Sequence, residues 1–313
     1  LSSIQSALSD AAPHFQNKSV TYQVSYKIIK KHVEKLIEIY NEGHFNHFKS
    51  MMRSTGGICA SCHTQDRAQR TLFGGVTRGE FSNDFEFAEF NFITRDYSAA
   101  VQYYSRYFDS LTSHQQEKYQ LSALRNVLTI YVQIYNEPRK AIEAIERYLK
   151  NDKFSTYVRK TLEKWVSGLK LIEKAVEKNL PITYSRIEAD VNKYLLPNQT
   201  FSKIEYHLWL KGRMYRYLST TATKKQIPAL LYWLSIASSL TDTSYYYSLA
   251  DLYLKQCMRE YTTDPYAKKC YEQYNENVVN SFSGSHGTDI PDSLLVELDE
   301  LHQLVFGAPR SLE

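Results

Sequence analysis

The sequence predicts an all-α protein: a helical hairpin first, then an array of antiparallel helical hairpins. Three observations carry that prediction. With 11 glycines and 8 prolines in 313 residues, few positions interrupt a helix. Apolar residues recur at alternating spacings of three and four, the signature of one buried helix face. Similar helix openings return at intervals of roughly 40 residues, in the range of helical solenoids.

Composition narrows the function classes. The apolar fraction of 43% is ordinary for a globular chain. A formal charge of +4 is too mild to point to nucleic acid. No apolar run approaches the roughly 20 residues that a membrane-spanning helix needs.

Residues 1–17 form a short lead. A brief helix is expected over 3–12, ended by Pro13, with His14 just beyond the break. The first strong helix spans 22–40. Tyr22, Tyr26, Ile29, Val33, Leu36 and Tyr40 line one face, and most of the lysines and glutamates fall off it. Asn41-Glu42-Gly43 reads as a turn with a left-handed glycine cap. A second helix is expected from 45 to about 69, with Phe48, Met51, Met52, Thr55, Ile58 and Cys62 as its inner stripe. Gly56-Gly57 weakens it by about 1 kcal/mol per glycine relative to alanine. Close approach of a bulky group to this face is a reason for the pair.

That helix carries Cys59-Ala60-Ser61-Cys62-His63, the pattern of covalent c-type haem attachment. Two thiols one helical turn apart can each add to a vinyl group on one edge of a porphyrin. The histidine that follows can turn its imidazole onto the iron. Three other readings stay open. A thioredoxin-type disulfide would need a βαβ setting, and nothing around Cys59 reads as strand. A zinc site would need a second ligand pair at the right spacing, which is missing. The third is a chance occurrence in a structural helix.

The segment Ser54-Thr55-Gly56-Gly57-Ile58-Cys59-Ala60-Ser61-Cys62-His63-Thr64-Gln65-Asp66-Arg67 resembles the last helix of the cytochrome c′ family, a four-helix haem bundle. The resemblance implies one covalent haem c on Cys59 and Cys62, His63 as proximal iron ligand, and Arg67 beside that histidine. It covers only the second half of such a bundle, and the family's first helix, which supplies the distal residue, has no counterpart before Tyr22. The sixth iron position therefore does not transfer. His32 is the candidate on the preceding helix and His14 the candidate from the lead. His47 or Met51 becomes one if the chain folds back at Gly56-Gly57, and an open position is an equal reading. Such attachment takes place outside the bacterial cytoplasm, so a periplasmic or otherwise exported protein is expected, its signal peptide removed.

Residues 1–70 thus read as a haem-binding hairpin and 71–84 as a glycine-rich linker. Residues 85–311 read as a helical repeat domain. Its expected pairs are 85–94 with 98–108, 119–135 with 138–150, 157–178 with 184–195, 204–218 with 227–239, and 245–259 with 266–279. A final helix over 292–305 caps the array. The openings around Asp96, Pro138, Pro228 and Pro265 look alike, and proline suits a first helical turn. The region resembles degenerate tetratricopeptide repeats, which implies a concave surface for a protein partner. A plain helical bundle is the competing reading.

Cys257 and Cys270 flank the turn between the last pair and are expected to form a disulfide, closing a short loop worth about 3 kcal/mol. Two separate buried thiols are the alternative. The 26 tyrosines read as core and groove filler. Phe81, Phe85, Phe87, Phe90 and Phe92, with Tyr97 or Tyr103, are expected to cover the haem or its hairpin. No nucleophile triad or phosphate-binding glycine loop is present, so no enzymatic activity is expected. The expected function is electron transfer with a docked redox protein. The alternatives are a haem-based gas or redox sensor, and an interaction scaffold that the haem merely staples.

Overall fold

The computed structural model describes residues 2–16, 20–49, 51–52, 55, 75–111, 117–150, 152–176, 181–200, 203–241, 249–285 and 287–308. The fold is all-α: helix makes up 80% of it. The only sheet among the described residues is a hairpin of β1 (Ser283–Gly284) and β2 (Gly287–Thr288), two residues a strand.

Helix α1 (Ser2–Gln16) packs on α2 (Val20–Asn41), and the Tyr26 hydroxyl of α2 donates to the Leu8 carbonyl at 3.1 Å. Contrary to expectation, Pro13 does not end α1, which runs three residues further. Proline offers no amide for the i−4 bond, and docking on α2 outweighs that loss. At the end of α2, Gly43 takes φ 76°, and the amide of His44 reaches back to the carbonyl of Ile39 at 3.1 Å. This left-handed stop turns the chain into α3, helical at positions 45–49, 51–52 and 55.

A short 3-10 turn, Arg78–Glu80, precedes α4 (Asp84–Ile93), whose first turn is capped by Asn83 accepting from the amide of Glu86 at 2.9 Å. Helix α5 (Tyr97–Asp109) follows, capped by Asp96 in the same way. Next come α6 (Glu117–Leu128), α7 (Pro138–Tyr148), α8 (Thr156–Val176) and α9 (Tyr184–Asp190). Then follow α10 (Ile204–Thr220), α11 (Ile227–Ser239), α12 (Leu249–Glu260), α13 (Pro265–Phe282) and α14 (Asp292–Phe306).

Two helices expected to be regular end in π-helical turns. Helix α6 continues into Thr129–Ile134 and α9 into Val191–Leu195. The amide of Tyr135 bonds the carbonyl of Ile130, five residues back. One residue is thereby added to the turn, and its final carbonyls swing toward a neighbour.

That neighbour is α10, the centre of the molecule. Ile204 through Met214 are buried without interruption, and α10 touches α2, α8, α9, α11 and both π-turns. Gly212 sits where α10 crosses the first π-turn, and a Cβ there would overlap the carbonyl of Gln133. Consecutive pairs α4–α5, α7–α8, α10–α11, α11–α12 and α12–α13 pack together. Helix α8 packs chiefly on α7 and α10 rather than on the segment from 184 to 195 that the sequence pairs it with. Its Trp165, Leu162 and Leu169 join one continuous core that runs from Ile28 in α2 to Val305 in α14.

Candidate functional site

The attachment motif, Cys59, Cys62 and His63, and its companion Arg67 lie outside the described residues, as do the expected inner residues Ile58 and Gly56-Gly57. The structure describes the platform that leads into them.

On α2, His32, Val33, Leu36 and Ile39 are buried, while Tyr40 is 49% exposed. Ile39 therefore takes the core place expected of Tyr40. The side chain of Tyr22 is not among those described. On α3, Met51 and Thr55 are buried, Phe48 packs against them, and Met52 faces outward. A helix turns about 100° per residue, so Met51 and Met52 cannot share one face. Leu36, Ile39 and Met51 form a small cluster of their own, apart from the main core.

Beside that cluster lies a polar pair. The Thr55 hydroxyl donates to the carbonyl of Met51 at 3.3 Å, and Nε2 of His32 meets the same hydroxyl oxygen at 2.9 Å. With the Thr55 proton spent on Met51, the imidazole N–H is the donor. Burial pulls the His32 pKa down, and the Met51 backbone opposes it. A neutral imidazole thus ties α2 to the last described position of α3, four residues before Cys59.

The proposed sixth ligands are placed apart. His14 is exposed near the end of α1, and His47 is exposed on α3. Met51 is 1% exposed, packed on Leu36 and Ile39, and Nε2 of His32 is engaged by Thr55. Among the described residues, no three His, Cys, Asp or Glu side chains converge to hold a metal.

An earlier stretch of α2, from Lys27 to Lys31, rests on the C-terminal helices. Lys27 bonds the Gln256 side chain of α12 and lies 3.9 Å from Glu260. Ile28 enters the main core. Lys31 lies in the field of Lys255, Arg259 and Glu297, and burial lowers its pKa. Glu297 of α14 is the hub of this group. It accepts from Lys255 at 2.6 Å, from Arg259 at 3.3 Å and from the Tyr274 hydroxyl at 3.0 Å. Burial alone would raise its carboxyl, but the bond to Lys255 and the surrounding cations outweigh that and hold it below the usual range. The sequence reading missed this contact because no local pattern links Lys27 to a residue more than two hundred positions away.

The expected phenylalanines pack on their own neighbours, and the haem segment they are expected to cover lies outside the described residues. Phe85 packs on Tyr104, Tyr107 and Tyr119, and Phe87 on Phe81, Phe90 and Tyr103. Phe92 meets Tyr97. These rings surround a buried polar set in which Tyr104 donates to Glu89 at 2.6 Å and Asn126 donates to the same carboxylate oxygen at 2.8 Å.

Cys257 and Cys270 meet sulfur to sulfur in the buried seam of α12 and α13, with α-carbons 6.5 Å apart. That separation is within the span of a disulfide. Among the described residues, no helix is long and apolar enough to cross a membrane. No family profile, curated protein or solved structure matches the chain.

Proposed function

We propose that the chain is an exported monohaem c-type cytochrome. One haem is held through Cys59 and Cys62, with His63 as its proximal ligand and Arg67 beside it. The helical body docks a redox protein with which electrons are exchanged. The observation that carries this reading is the motif itself, which follows the buried Thr55 by four residues in the sequence.

The described residues fit such a group. In a continued helix, positions 51, 55, 59 and 62, at spacings of four, four and three, would share one face. Met51 and Thr55 themselves are turned toward α2. When bound, haem supplies one-electron chemistry tuned by axial ligand, burial and hydrogen bonding. The chain's own part is to orient: His32 fixes Thr55, and Leu36, Ile39 and Met51 form an apolar cluster beside that pair. A paired Cys257 and Cys270 accords with an oxidising compartment.

One observation favours the second reading, a haem-based sensor. Helix α2 touches α3 through His32 and reaches α12 and the field of Glu297 through Lys27 and Lys31, so a change at either is felt by the same helix. Reduced spectra of the full chain with and without carbon monoxide separate the two. An unchanged spectrum and a reversible one-electron couple support the carrier. A shift on adding carbon monoxide shows an open iron position and favours the sensor. Absence of any haem spectrum overturns both.

A further inference from the structure

Helix α10 carries two arginines one turn apart, the buried Arg213 and the half-buried Arg216, which lie side by side on one helix face. Arg213 is 9% exposed, and its guanidinium lies 5.0 Å from the centre of the Trp209 ring. It pairs with Asp190 at 3.4 Å, the residue just before the second π-turn. Arg216 donates through Nη1 to the carbonyl of Gln133 at 3.2 Å, inside the first π-turn. Each arginine leaves a donor over: Nε of Arg213 and Nη2 of Arg216 are buried and meet no acceptor.

The charges around the pair do not balance. Asp190 lies in the field of Arg213, Lys193 and Arg186, and Arg186 also repels Arg213. Burial pulls both guanidiniums below their usual range, with Arg186 adding to the effect at Arg213 and Arg213 adding to it at Arg216. A buried cation without a full set of acceptors is costly, and arginine forks are shaped for oxyanions. Irregular π-turns recur at functional sites, and two of them bracket this cluster. Gly212 comes close to Gln133 in the first turn. The carboxylate of Asp190 is more open than Arg213, its side chain being 23% exposed against 10%, so the cluster reaches solvent on that side.

The geometry points to an oxyanion-binding site at Arg213 and Arg216, framed by the two π-turns and suited to a phosphate group. The bound oxygens accept from Nε of Arg213 and Nη2 of Arg216 together. Asp190 holds the Arg213 fork while the site is empty and competes with the incoming anion. Haem plays no part, so the inference stands or falls apart from the proposed function.

The test is calorimetric titration of the full chain with inorganic phosphate, with chloride at matched ionic strength as control and acetate as the carboxylate arm. Phosphate should bind where chloride does not, and more tightly than acetate, which offers fewer oxygens to the two forks. Arg216→Gln should weaken phosphate by about tenfold or more, and Arg216→Lys, which keeps the charge but loses the fork, should also weaken it. If Arg216→Gln fails to fold, Asp190→Asn decides: removing the competing carboxylate should tighten phosphate by about tenfold. Acetate binding as tightly as phosphate overturns the phosphate assignment. Phosphate heats no different from chloride, or Asp190→Asn with unchanged affinity, overturn the site.

Discussion

Glu205 offers the sharpest test of how α10 is built. Its side chain is fully buried, and neither carboxylate oxygen finds a hydrogen-bond partner. It fits only because residue 168 of α8 is glycine, since a Cβ there would overlap the carboxyl. Burial pushes its pKa from 4.5 up to about 8, against smaller pulls from its own backbone and Lys203. The folded protein therefore keeps a proton that the unfolded chain releases near 4.5. Between those two values folding takes up one proton, so stability falls as pH rises, by about 1.4 kcal/mol per pH unit. Above about 8 both states are ionised and the slope from this group vanishes. At neutral pH the accumulated cost is on the order of 3 kcal/mol. Glu205→Met keeps the length and removes the charge. Urea unfolding followed by far-ultraviolet circular dichroism should show the variant more stable by about that amount at neutral pH. The variant should also lose the descending slope between 4.5 and about 8. A variant that is less stable at neutral pH, or that keeps the parent's slope, would refute the reasoning.

Three further outcomes follow from packing. Gly212→Ala forces a methyl into the Gln133 carbonyl and should cost about 1–3 kcal/mol, read as a lowered denaturation midpoint; no change would mean that α10 and the π-turn are not in close contact. Thr55→Val removes the hydroxyl that Nε2 of His32 bonds, a loss of about 1–3 kcal/mol; hydrogen exchange should quicken in α2 around Val33 and Leu36. Peptide mapping without reduction should recover Cys257 and Cys270 on one cross-linked pair, and reduction should lower stability by about 3 kcal/mol. Two freely alkylated thiols in never-reduced protein would reject the bridge.

Local chemistry was legible where single residues dictate it. Pro228 in the first turn made the start of α11 readable, and the acceptor side chains of Asn83 and Asp96 mark the starts of α4 and α5. Gly43 announced the stop of α2. The π-turns after α6 and α9 were not legible, because one inserted residue barely disturbs the apolar period on either side. Helix α10 gave a misleading pattern. Glu205, His207, Lys211 and Arg213 suggest a solvated face, yet all are buried, and the signal that they would be was only the small residue Gly212 among bulky neighbours. The seating of α2 on α12 and α14 depends on long-range pairing of Lys27 and Lys31, which no window of sequence contains. Of the candidate site, the motif was legible from residue chemistry alone. Its platform, His32 on Thr55, was not, since a histidine after Lys30-Lys31 reads as solvated.

The central claim is that Cys59 and Cys62 carry a haem. The most direct measurement is intact mass of the denatured, purified chain after acidified-acetone extraction, with the pigment followed through the extraction. The account predicts a mass greater than that of the bare polypeptide by one haem, with the colour retained in the protein fraction. Substitution of both Cys59 and Cys62 by serine should abolish the added mass. Colour that washes into the solvent, or a mass equal to the polypeptide alone from cells competent in covalent haem attachment, would contradict it.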